Sequence, residues 1–274
     1  MGTSKSSNGA PSGVPLVPPW VNPVVPPADG QSPPMPSAGG QPEPSTNPGL
    51  APPRRFASAR TSLGRFAATG SSEDLRRGLG HYVKTGLGGS STAAKRFAGT
   101  ARVAGAWYAA LSNRRGESGS SGTSTESQQL SSRTATALIA AIIDSVRSVD
   151  GTLDSESNRV AMADSLADLY AQSPEVDVTA LPEADRLFLI ERFLAYDVYY
   201  RLMLDIGMAI QQKAPSIAEE MTRKKEIRDY VRETISARFR DLRSSLSVLS
   251  EMSISRVASG AMRATFQVFE DYIQ

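Results

Sequence analysis

EADRLFLIERFLAYDVYYRLMLDIGMAIQQK, residues 183–213, is the stretch on which the fold turns. Pro182 opens it and Pro215 lies just beyond it. Proline suits the first turn of a helix, because its φ is preset there and its missing N–H has no intrahelical partner, but it cannot continue one. The spacing therefore predicts one long helix from Glu183 to Lys213. Asp197, Arg201 and Asp205 stand at i, i+4 and i+8, so the three side chains can pair along one face. A buried row of this kind would fix the register of a partner helix. A partly solvated charge row is the commoner arrangement and is the reading preferred from sequence.

Working outward, the same three-and-four spacing recurs on both sides. Leu138, Ala141, Ile142, Ser145, Val146 and Val149 mark one amphipathic helix. Val160, Ala163, Leu166, Ala167 and Tyr170 mark an antiparallel neighbour after an Asp150-Gly151 turn. Ile227, Val231, Ile235, Phe239, Leu242, Leu246 and Leu249 form another stripe. Ile254, Val257, Ala261, Thr265, Val268 and Tyr272 form the last. No stretch reads as a strand, so residues 130–274 are expected to be an α-helical, bundle-like domain.

Composition changes twice before that domain. Fifteen of the 18 prolines precede Arg54, and Pro, Gly and Ser bury too little apolar area to offset the entropy of ordering. Residues 1–53 are therefore expected to be a disordered, partly polyproline tail, about 150 Å long if extended and about 40 Å across as a coil. Residues 54–115 form a basic, glycine-punctuated helical segment with net charge +10, against −7 for residues 116–274 and +2 for the whole chain. Within it the pattern predicts a helix over 54–68 and a second from Ser72, capped by that serine. Gly86, Gly88 and Gly89 stop the second helix, and a third runs from Ser91 through Phe97, Ala101, Ala104, Trp107, Tyr108 and Leu111. Ala101, Gly105 and Ala109 line a row of small residues along which another helix can approach closely. A Ser/Gly/Thr-rich linker, residues 116–129, joins this segment to the helical domain.

The chemistry of catalysis is thinly represented. The chain has no cysteine and one histidine, His81, which removes disulfides, thiolate nucleophiles and His-rich metal shells. His81 lies in Gly80-His81-Tyr82-Val83 with no G-x-S-x-G elbow, and reads as a surface or packing histidine. Asp150, Asp154, Glu156 and Asn158 are rich in oxygen, yet Arg159 and Ser165 occupy the places an EF-hand reserves for glycine and a bidentate carboxylate. They read as an acidic turn between helices. Gly86-Leu87-Gly88-Gly89-Ser90 lacks a preceding strand and a Gly-Lys-Ser/Thr, so it reads as a helix stop and restart and not as a phosphate cradle. The expectation is a protein that is not an enzyme and holds no metal. No signal core or run of about 20 apolar residues is present, and the cysteine-free composition fits a cytoplasmic protein without a membrane span.

The tail carries the features most suited to being read by partners. Removal of Met1 exposes Gly2, an unhindered amine ahead of Thr3, Ser4 and Lys5, and Leu16-Val17-Pro18-Pro19-Trp20 adds a rigid apolar handle. Tryptophan is a prime interface anchor, which favours a docking role for Trp20. Met1-Gly2-x-x-x-Ser6 also satisfies the N-myristoylation consensus, a minority reading.

MGTS at the start, PLVPPW at 15–20, RTSLGRF at 60–66, DLRRGLGHYVKTG at 74–86 and AGAWYAAL at 104–111 together resemble the QatB family, accessory proteins of the bacterial Qat anti-phage defence system. The resemblance is read in the N-terminal zones, and in the helical domain only in general character. It implies partners: a P-loop ATPase, a TatD-like nuclease and an enzyme similar to 7-cyano-7-deazaguanine synthase, which activates a deazapurine acid with ATP. Gly2 then becomes the expected acceptor of a covalent deazapurine amide, with Thr3, Ser4, Leu16, Pro18, Pro19 and Trp20 recognised by the synthase-like partner. The alternative is an assembly or nucleic-acid adaptor acting through Arg76, Arg77, Lys95 and Arg96. Interleaved cations and aromatics suit a phosphate backbone, but no known nucleic-acid module is evident, and docking of the +10 segment on an acidic surface is the preferred account of its charge.

Overall fold

The computed structural model describes residues 52–113, 153–178, 180–244, 246 and 248–273, and among these every regular element is helical. The elements are α1 (Ala57–Thr69), α2 (Ser72–His81, continued by a π-helical turn over Tyr82–Gly86), α3 (Ser90–Arg96), α4 (Ala98–Asn113), α5 (Leu153–Gln172), α6 (Glu183–Lys213), α7 (Ile217–Arg243) and α8 (Glu251–Asp271). The tail, the expected linker and the helix expected around Leu138–Val149, with its Asp150-Gly151 turn, lie outside the described residues.

The long helix α6 has the bounds that the two prolines predict. It is the central strut: α1, α4, α5 and α7 all pack on it, while α8 takes α2, α3, α4 and α7. One hydrophobic core runs from Phe56 to Phe269. The basic segment is thus built into the same core as the helices of the acidic half, and its apolar stripes dock it there. Phe97, Ala101, Ala104, Trp107, Tyr108 and Leu111 are all buried, with Trp107 edge-on to Phe193 at 5.5 Å. The small-residue row does what its spacing predicts. A Cβ on Gly105 would lie 2.5 Å from the Glu251 carbonyl oxygen and 3.0 Å from Ser255 Cβ, so α4 and α8 touch backbone to backbone there.

Local expectations fail in instructive places. The helix that starts at Ser72 is capped by Ser71, whose Oγ accepts from the Asp74 amide, because Ser71 is the residue with extended backbone and Ser72 is already helical. The expected third helix is two, broken at Phe97 (φ −91°, ψ 10°), whose ring tilts against Phe266 at 5.1 Å. Gly88 (φ 83°) and Gly89 (φ 91°) are left-handed, which is why glycine serves as the stop and restart. α5 presents Ala161, Met162, Ser165, Leu166 and Leu169 to the core, whereas the expected stripe through Val160, Ala163 and Ala167 is half-buried or exposed. Both faces obey helical spacing, and the packing against α6 selects between them. Asp154, Glu156 and Asn158 fall within the first turns of α5 and not in a turn between helices, and Glu156 pairs with Arg159 at 2.6 Å. α7 ends at Arg243, short of the expected Leu249. The described residues between it and Glu251 form no helix, and Ser250 and Ser253 form a capping box for α8. Leu246 and Leu249 still pack at the edge of the core.

Candidate functional site

The charge row on α6 builds two polar clusters. In the first, Asp197 is fully buried and saturated. Its Oδ2 accepts from Thr100 Oγ1 of α4 at 2.7 Å, and its Oδ1 accepts from Ser157 Oγ of α5 at 2.8 Å. Arg201 Nε lies 3.0 Å from Oδ2, an ion contact at an angle outside hydrogen-bond geometry. Arg201 Nη2 donates to Thr100 Oγ1 at 3.2 Å, and the guanidinium lies 4.7 Å above the Phe97 ring. Asp197 and Arg201 are therefore buried, contrary to the solvated row expected from sequence. The break at Phe97 is what brings both that ring and Thr100 to Arg201. A fully buried carboxylate with three close partners locks α4, α5 and α6 in register and has no vacancy for substrate.

Two turns further along α6, Asp205 forms a cluster of another kind. Tyr82, buried in the π-helical turn, donates its hydroxyl to Asp205 Oδ2 at 3.1 Å. Arg60 of α1 donates from Nε and Nη2 to the backbone oxygen of Asp205 at 3.0 and 2.9 Å, so it leaves the carboxylate itself unpaired by that guanidinium. Phe56 stacks on Tyr82 at 5.4 Å, and the hydrogen-only side of Gly86 admits the Phe56 ring where a Cβ would collide with it. Burial raises the Asp205 pKa, against the opposing pull of Arg96, the Tyr82 hydrogen bond, Arg55 and Arg60. Tyr82 is pushed well up, first by burial and then by Asp205. Elsewhere on α6, Tyr196 and Tyr200 clasp α5 by donating to Asp168 and Asp164. Burial, then Asp168, pushes Tyr196 up to about 12.

The residues singled out in the sequence are distributed unevenly. Gly2, Thr3, Ser4, Leu16, Pro18, Pro19 and Trp20 lie outside the described residues. Arg76 and Arg77 are exposed on α2, where Arg77 pairs with Glu73 at 2.6 Å and Arg76 sits 6.0 Å above the Tyr272 ring. Lys95 is exposed on α3, whereas Arg96 is half-buried and close enough to act on Asp205, Tyr82 and Arg55. The four cations thus split between two settings. Arg55, Thr100 and Ser157 are not singled out by the sequence, Arg60 and Tyr82 enter it only within the motifs RTSLGRF and DLRRGLGHYVKTG, and the i+8 position of Asp205 is the one further pointer to this cluster. His81 ends α2 half-buried, with Nδ1 buried and unpartnered among the described residues. Burial, then Arg77, Arg65 and Lys84, lowers its pKa. A groove of about 420 Å³ beside Phe66 and Tyr230 has a rim of Glu226, Asp229 and Glu233. Those carboxylates already pair with Arg223, Lys225 and Arg232.

Among the described residues no helix is long and apolar enough to cross a membrane, and no group of three or more acidic or imidazole side chains is placed to hold a metal ion. Residues 88–269 match the family described as Qat anti-phage system associated protein QatB. No curated protein and no solved structure matches the chain. The family match falls on the helical body and, of the motifs quoted from the sequence, takes in AGAWYAAL while leaving out MGTS, PLVPPW, RTSLGRF and DLRRGLGHYVKTG. The match therefore runs from just before α3 into α8 and includes neither the tail nor α1 and α2. With more than half of its length matched, the chain belongs to the QatB family of Qat anti-phage system proteins.

Proposed function

We propose that this component of an anti-phage defence system is a non-catalytic scaffold whose N-terminal glycine is the substrate of a synthase-like partner. The observation that carries the reading is Met1-Gly2-Thr3-Ser4 at the head of a chain from this family. With Met1 removed, the Gly2 amine has no side chain crowding its approach. A 7-cyano-7-deazaguanine synthase-like enzyme activates the carboxyl of a deazapurine acid with ATP. The amine nitrogen attacks that acyl carbon, the activating group departs with the C–O bonding pair, and the amine loses a proton as the amide forms. Leu16, Pro18, Pro19 and Trp20 serve as the docking handle, and the helical body carries the chain into a cytoplasmic assembly that includes the P-loop ATPase and the TatD-like nuclease.

The alternative, an adaptor for nucleic acid or an acidic partner through Arg76, Arg77, Lys95 and Arg96, has less support because Arg77 is paired with Glu73 and Arg96 is recessed. Mass analysis of the N-terminal peptide, from protein expressed with and without the synthase-like partner, tests the proposal. An added group on Gly2 that requires the partner is the expected result, and Gly2→Val should abolish both that group and phage protection. An unmodified, Met-free terminus in both samples, or full protection by Gly2→Val, would sink it.

A further inference from the structure

The Asp205 cluster has more positive charge than its fold accounts for. Arg60 donates to the Asp205 backbone oxygen, and Arg55 and Arg96 are near enough to act on its carboxylate, so three guanidinium groups share one carboxylate. Arg55 is only 9% exposed, yet its Nε and Nη1 are buried without a hydrogen-bond partner. Its guanidinium carbon lies over the face of Phe56, 4.9 Å from the ring centre. Arg96 forms no hydrogen bond or close ion pair among the described residues. Burial, and after it the like charge of Arg96, lowers the Arg55 pKa, as expected of cations short of a counter-charge. Beside Arg55, Arg54 holds a left-handed backbone (φ 53°), a conformation that costs a non-glycine residue about 1 kcal/mol or more. A π-helical turn, a form often found at functional sites, supplies Tyr82 to the same cluster.

An isolated buried cation is costly enough that proteins normally pair it, and guanidinium groups match tetrahedral oxyanions through bidentate hydrogen bonds. We propose that Arg55 and Arg96, at the root of the N-terminal tail, bind a phosphate group of a small polyphosphate ligand. A multiply charged phosphate balances the excess that Asp205 leaves. Asp205 and the Tyr82 hydroxyl hold the floor of the site, and Arg60 is already committed to a backbone oxygen. A single recessed pair of cations suits one small anion better than a nucleic acid strand, which needs a track of exposed contacts.

The test is calorimetric titration of the full-length protein, expressed without its partners and held in a phosphate-free buffer, with sodium pyrophosphate, ATP and a single-stranded DNA oligonucleotide as separate probes. Pyrophosphate should bind with 1:1 stoichiometry. Arg96→Gln should weaken it by about tenfold or more and Arg55→Met further, while Arg102→Gln, an exposed cation on α4, leaves it unchanged. ATP binding more tightly than pyrophosphate assigns the ligand to nucleotides, and equal binding assigns it to free polyphosphate. Each of these upholds the site. Removing an uncompensated buried charge should also raise the melting temperature of Arg55→Met in phosphate-free buffer, a sign that a purely structural arginine would not give. If that variant does not fold, Arg96→Gln carries the test. Absence of pyrophosphate and ATP binding at millimolar concentration, equal binding by both variants, or binding of DNA alone would overturn the proposal.

Discussion

Asp197 and Asp205 lie on one helix, eight residues apart, the first fully buried and the second half-buried, and they are treated differently by their surroundings. Around Asp197 every oxygen has a short contact: Thr100, Ser157 and Arg201 close on it from three helices. Around Asp205 the carboxylate has one hydrogen bond among the described residues, the Arg60 guanidinium binds the backbone oxygen instead, and Arg55 is left with two buried nitrogens, Nε and Nη1, without a partner. A buried charge whose partners are complete is evidence of architecture. A buried charge whose partners are missing is evidence that something else completes it.

The sharpest way to break this contrast is Asp197→Ala. It strands the Arg201 cation and the Thr100 and Ser157 hydroxyls together, and should cost about 3–5 kcal/mol in urea unfolding. Tyr82→Phe should cost less, about 1–2 kcal/mol, because it removes one hydrogen bond from a cluster that is incomplete already. If the two variants are equally destabilised, the closed and open clusters are not energetically distinct. The smallest effect belongs to His81. Its folded pKa is held below its ordinary 6.5, so the unfolded chain binds the proton more readily. Stability from this group is complete above pH 6.5 and is lost as pH falls below it toward the folded value. His81→Gln should therefore flatten the fall in melting temperature between about pH 7.5 and about pH 5.5. An unchanged slope would place that acid sensitivity elsewhere.

Much of the fold could be read from local rules. The ends of α6 follow from Pro182 and Pro215, the restart at Ser90 follows from Gly88 and Gly89, and the close approach of α4 to α8 follows from the row containing Gly105. The buried faces of α7 and α8 follow from apolar residues three and four apart, with Ile227, Val231, Ile235 and Phe239 fully enclosed. Less of the candidate site was legible. Arg96 reads in the sequence as one of four surface cations and is instead recessed beside Asp205, while nothing in the immediate neighbours of Arg55 distinguishes it and Arg60 stands out only as the first residue of RTSLGRF. The Tyr82 to Asp205 hydrogen bond spans 123 positions, and Asp197 meets Thr100 across 97. Spacing within a segment carries no information about such pairs. The choice of face on α5 shows the same limit: two stripes have valid helical periodicity, and only contact with α6 decides between them.

By itself, then, the sequence determined where helices begin, end and turn apolar, because proline and glycine constrain φ locally and a 3.6-residue period sorts side chains by face. Gly2 and the apolar stretch Leu16-Val17-Pro18-Pro19-Trp20 are likewise read from it alone, as the acceptor and docking handle of the proposed function. Only the tertiary structure decided which charges are buried and whether their partners are complete. Burial is a property of surfaces that distant segments bring together, and the same aspartate on the same helix is a closed knot or an open site according to what packs against it.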